Sequence, residues 1–68
     1  MSVMRATVLQ CEENRLLVRD HFTGQEVLVN TPRAHCFSVG DRVRILHTGI
    51  MTMSLPPQIT AIRIFSCR

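Results

Sequence analysis

Apolar and polar residues alternate along most of this chain with a period of two, the mark of strands with one face in a core and one in water. Residues 3–10 put Met4, Ala6 and Val8 on one face and Arg5, Thr7 and Leu9 on the other. Residues 15–20 put Leu16 and Val18 on the apolar face, with Arg15, Leu17 and Arg19 outside. Residues 25–30 repeat the pattern with Val27 and Val29 inside and Glu26 and Leu28 outside. Residues 42–47 place Val43 and Ile45 inward and Arg42 and Arg44 outward. Residues 58–65 form a fifth strand, with Ile62 and Ile64 expected inward and Ile59 sealing one end.

The connections carry turn chemistry. A three-residue loop pairing Cys11 with Arg15 sets Val8 opposite Val18, both inward, and gives Asn14 the left-handed position that Asn tolerates. A two-residue Glu13-Asn14 turn would instead set Leu9 opposite Val18 and drag Arg5 into the core. A one-residue slip flips every side chain, so burial favours the longer loop. His21 to Gly24 is the second turn, with Gly24 supplying the positive φ. Residues 31–37 are too polar for a strand. Pro32 suits the first position of one helical turn capped by Thr31, with Phe37 as a plug. Val39-Gly40-Asp41 is a tight turn, and residues 48–57 form a loop that Pro56 and Pro57 close by stopping the ladder.

Five short strands, a helical turn or loop between the third and fourth, and a Gly-Asp turn into the fourth define an all-β chain. The reading is one domain over residues 1–68, a five-stranded OB-like Greek-key barrel. The C-terminal half also resembles uncharacterised bacterial OB-like proteins of the YobA-like type. Those share a Gly-Asp-x-Val lead-in, a Gly, and Ser-x-Pro-x-Gln-Ile running into the last strand. The matching residues are Gly40, Asp41, Val43, Gly49, Ser54, Pro56, Gln58 and Ile59. The match covers about the last 30 residues, counted from the numbering of the chain. It implies a fold and a structural role for each residue (turn, loop hinge, strand start), and no activity.

Charge alters this picture little. The net charge is +3, all of the basic residues are Arg, and acids are interleaved with them. Arg forks phosphate, which raises nucleic acid as a partner, but nucleic-acid binders usually cluster their basic residues. There is no Trp or Tyr to stack bases. Cys11, Cys36 and Cys67 are an odd set without Cys-x-x-Cys spacing, as expected of free thiols in a reducing cytoplasm. No signal-like or membrane-length apolar run is present.

The candidate chemistries are thin. His21, His35 and His47 with the cysteines show no local pair of the kind a zinc site uses, so they read as surface histidines and small buried cysteines, with no metal or cofactor. Cys36 beside His35 lacks a third group to orient a base. A chain of this length is also too small to house a substrate cleft of enzyme size beside its core. The expectation is therefore a non-enzymatic module.

Its expected contact surface is the outward row Leu9, Leu17 and Leu28, rimmed by Arg15 and Arg19, with Met51 and Met53 of the flexible fourth loop alongside. The competing arrangement folds Phe65 of the tail over those leucines. The partner expected is a protein or a second copy of the chain. The alternative is weak, sequence-tolerant single-stranded nucleic-acid binding through the same face, using Arg15, Arg19, Arg42 and Arg44.

Overall fold

Five strands close on themselves in the order β1-β2-β3-β5-β4, in a computed structural model that describes residues 1–66. They are β1 (Ser2–Cys11), β2 (Arg15–Asp20), β3 (Glu26–Asn30), β4 (Arg42–His47) and β5 (Gln58–Ser66), with a 3-10 turn at Ala34–Cys36 between β3 and β4. Neighbours pair antiparallel except β3 and β5, which run parallel with Leu28 beside Gln58. This is the small OB-like barrel that the alternation predicts. Strand limits move by a residue or so: β1 and β5 are longer than read, and β3 begins at Glu26.

The alternation does its work in the core. Met4, Ala6, Val8, Leu16, Val18, Val27, Val29, Val43, Ile45 and Ile59 all point inward and are buried, with Ala34 of the 3-10 turn among them. Phe37 packs partly against this cluster, as the plug of the connector. Each fully buried aliphatic of this kind contributes roughly 1.5–3 kcal/mol over exposure. The odd-numbered residues of β2, and of β1 as far as Leu9, face outward as expected, and beyond Leu9 the parity of β1 reverses.

Two bulges depart from simple alternation, and each corrects an expectation. In the β1–β2 hairpin the Glu12 amide donates to the Arg15 carbonyl at 2.8 Å, closing a two-residue turn at Glu13-Asn14. Cys11 therefore pairs with Leu16, not Arg15. Among the described residues none other than Gly has positive φ, so Asn14 is not left-handed. The register slips by one between Val8 and Gln10, and Val8 still meets Val18. Leu9 is thus the extra residue of a bulge. The bulge resolves the conflict between the short turn and the buried face, so both hold.

In β5 the register shifts where His47 pairs with Ala61 and Leu46 with Arg63. Ile62 falls at the slip and is turned out, 48% exposed, instead of entering the core. Ile59 and Ala61 face inward before the bulge and Ile64 after it, so the parity changes within one strand.

The connector also differs in detail. The Thr31 hydroxyl accepts from the Arg33 amide at 3.2 Å, a turn of the Ser/Thr type around Pro32. The 3-10 turn begins two residues later than expected and has no side-chain cap.

Candidate interaction surfaces

The outer face of β1, β2 and β3 is built around one cross-strand pair: Leu17 lies directly opposite Leu28. The β1 bulge sets Leu9 and Gln10 together across from Leu17, so the three leucines form one island. All three are half-buried. Phe65 does not cover them. It pairs with Arg44 on β4, away from β2 and β3.

The rim of this island is charge-neutral. Arg15 Nε donates to Glu12 Oε2 at 2.8 Å, and Arg19 lies 3.5 Å from Glu26 Oε2 while also donating to the Gly24 carbonyl. These exposed pairs add little stability. They do occupy the guanidinium groups that a phosphate would need.

Beside the island stands a loop tip with internal bracing. The Thr52 amide donates to the Gln58 carbonyl at 3.0 Å, and the Gln58 amide donates to Thr52 Oγ1 at 2.9 Å. Thr52 and Ser54 hydroxyls share a hydrogen bond, and Ser54 donates to the Pro56 carbonyl. The closed tip carries Met53 and Leu55, 99% and 93% exposed. Gln58 is the register partner of Leu28, and the Leu28 amide donates to the Pro57 carbonyl, so the loop enters β5 beside the leucine face. Met51 lies apart from that entry, lining a hollow at the barrel end with Val3, His21, Phe22 and His47.

Arg42 and Arg44 do not belong with Arg15 and Arg19. β4 pairs with β1 and β5, so its outward residues look away from β2 and β3. There they meet outward residues of β1 and β5. Arg5, Arg44 and Phe65 form one row across three strands, and Val3, Leu46 and Arg63 form the next. Thr7 and Arg42 continue the grid. Sequence reading missed this second surface. The β5 bulge sets which residues of that strand face out, and alternation alone does not place a bulge.

Histidine and cysteine positions also differ from expectation. His47 is buried, not on the surface, and its Nδ1 accepts the Gly49 amide at 3.1 Å, which leaves the ring proton on Nε2. Cys11 and Cys36 are free and exposed, not buried. The Cys11 thiol donates to the Phe37 carbonyl at 3.3 Å. Cys67 lies outside the described residues. Among the described residues, no three His, Cys, Asp or Glu side chains converge as metal ligands.

The hollow at the barrel end has a volume of about 730 Å³, more room than a chain this short was expected to keep. One of its walls is Phe22, itself 96% exposed, so a molecule seated there would stay largely in water. No described helix is long and apolar enough to cross a membrane. Gly40 and Gly49 have φ of 92°, Asp41 accepts the Ser38 amide, and Val43 and Ile59 are core. The chain matches no protein-family model, no curated protein and no solved structure.

Proposed function

We propose that the chain is a non-enzymatic assembly module of the cytoplasm that associates with a second copy of itself through the outer face of β1–β3. The observation that carries this reading is the outward Leu17–Leu28 pair inside a rim whose two arginines are both ion-paired with glutamates. An apolar centre with a polar rim is the anatomy of a protein contact. The rim also decides between partners. A chain of net charge +3 repels its own copies, so contact favours the face where charge cancels. In a two-fold contact the same patch meets itself, and a neutral patch does so without penalty. The braced tip with Met53 and Leu55 extends the surface at low ordering cost. The same ion pairs weigh against nucleic-acid binding on this face. Free thiols at Cys11 and Cys36 support a reducing compartment.

Sedimentation equilibrium over a range of concentrations tests the proposal. Wild type should dimerise, and Leu17→Glu, which places a charge at the centre of an outward face, should stay folded by circular dichroism and monomeric. A wild type that remains monomeric at every concentration, or a Leu17→Glu variant that dimerises equally well, overturns it.

A further inference from the structure

We propose that the opposite face of the barrel, the outer surface of β1, β4 and β5, binds single-stranded nucleic acid through its phosphate backbone. Four arginines project from it: Arg5, Arg42, Arg44 and Arg63. None has a carboxylate within ion-pair distance among the described residues. Glu12 and Glu26 hold Arg15 and Arg19, Glu13 sits in the β1–β2 turn, Asp41 accepts the Ser38 amide, and Asp20, which shares the barrel-end hollow with Arg5, accepts the Phe22 amide. Four arginines without an ion pair therefore share this face.

The arrangement within the face points to a phosphate strand. Arg5 and Arg44 are directly opposed across neighbouring strands, where like charges repel. A bound anion shared between them turns that repulsion into attraction. Phe65 continues the same row, 46% exposed, and offers a flat apolar surface beside two guanidinium groups. Exposed Val3 and half-buried Leu46 lie in the next row, opposite Arg63. Bases stacked on an aromatic while arginines follow the backbone is the general chemistry of sequence-tolerant single-strand binding. A duplex hides its base faces and would leave Phe65 unused. An acidic peptide would satisfy the arginines and also leave it unused.

The test is fluorescence anisotropy of the full-length chain with a labelled oligothymidine at low ionic strength. Binding should weaken with salt at a log–log slope of about −3 for four phosphate contacts, since a single strand gives roughly −0.7 per phosphate. The Arg44→Gln/Arg63→Gln double variant should bind at least about tenfold more weakly with a slope smaller by about 1.4, twice the per-phosphate value. Phe65→Ala should lose about tenfold, within the range for one stacked base. Circular dichroism should show all variants folded, because the altered side chains are exposed. Leu17→Glu should bind as wild type does, which separates this surface from the proposed self-contact. No binding at low salt, equal binding by the double variant or by Phe65→Ala, or equal competition by duplex DNA or polyglutamate would each overturn the proposal.

Discussion

Arg5 stands directly across from Arg44 in the β1–β4 ladder, and neither guanidinium has a carboxylate within ion-pair distance among the described residues. Facing like charges on adjacent strands cost stability, on the order of 0.2–1 kcal/mol for a cross-strand pair. A chain of this size has little stability to spare. Arg44→Glu converts repulsion into attraction and should raise the urea midpoint by the equivalent of about 0.5–1 kcal/mol. Added salt should stabilise wild type more than the variant, because it screens only an unfavourable pair in the former. A lower midpoint for Arg44→Glu would mean that the two arginines are not opposed. The same substitution should abolish oligonucleotide binding, the usual exchange between stability and a functional surface.

The two neighbours Leu16 and Leu17 test the inward and outward assignment of β2. Leu16 is fully buried, and Leu17 is half-buried on the outside. Leu16→Ala should cost about 2–5 kcal/mol, a core truncation that leaves a cavity. That approaches the whole stability expected of a domain this small. Leu17→Ala should cost less than about 1 kcal/mol in the monomer, because water already reaches the side chain. Equal denaturation midpoints for the two variants would contradict the assignment.

Period-two alternation was enough to place the barrel and nearly all of its core, because the inward positions of β1 to β4, His47 apart, are mostly apolar and their neighbours mostly are not. Both errors in β1 and β5 came from bulges. Leu9 and Ile62 are ordinary apolar residues, and nothing in a single chain distinguishes a residue that continues a strand from one that interrupts it. Ile62 and Ile64 flank Arg63 with a period of two, which is the spacing that points both inward. The outer face of β1–β3 was legible in part. Leu17 and Leu28 were paired correctly, since the β2–β3 hairpin has no bulge. The ion pair of Arg15 with Glu12 depended on the two-residue turn, which burial arguments had set aside. The arginine face could not be read, because Arg5, Arg44 and Arg63 come together only when the barrel closes β4 between β1 and β5.

Gly49 carries two constraints where Gly24 carries one. Both have positive φ, which costs a residue with a Cβ about 1–2 kcal/mol. A Cβ on Gly24 would meet open space, whereas on Gly49 it would lie 3.3 Å from Ser2 Oγ. The Gly49 amide also donates to His47 Nδ1, the contact that holds this buried ring. Gly49→Ala should therefore lower the melting temperature more than Gly24→Ala. Equal shifts would show that the Ser2 contact and the His47 bond yield without cost.

The order of the loop tip rests on one hydroxyl. Thr52 Oγ1 accepts the Gln58 amide and bonds to Ser54, which in turn holds the Pro56 carbonyl. Thr52→Val keeps the shape of the side chain and removes its bonds to the Gln58 amide and to Ser54. The groups it releases are exposed and can turn to water, so the loss in global stability should be small, about 0.5–1.5 kcal/mol. The local effect should be larger. The Gln58 amide should exchange with solvent markedly faster, while core amides such as Val18 and Ile45 keep their protection. Met53 and Leu55 would then have to be ordered at the moment of contact, so the dimer should dissociate more readily even though no contacting side chain has changed. Unchanged protection at Gln58 would place the bracing in the backbone pair between Thr52 and Gln58 and not in the hydroxyl. A loosened tip with unchanged dimerisation would confine the contact to the leucine island.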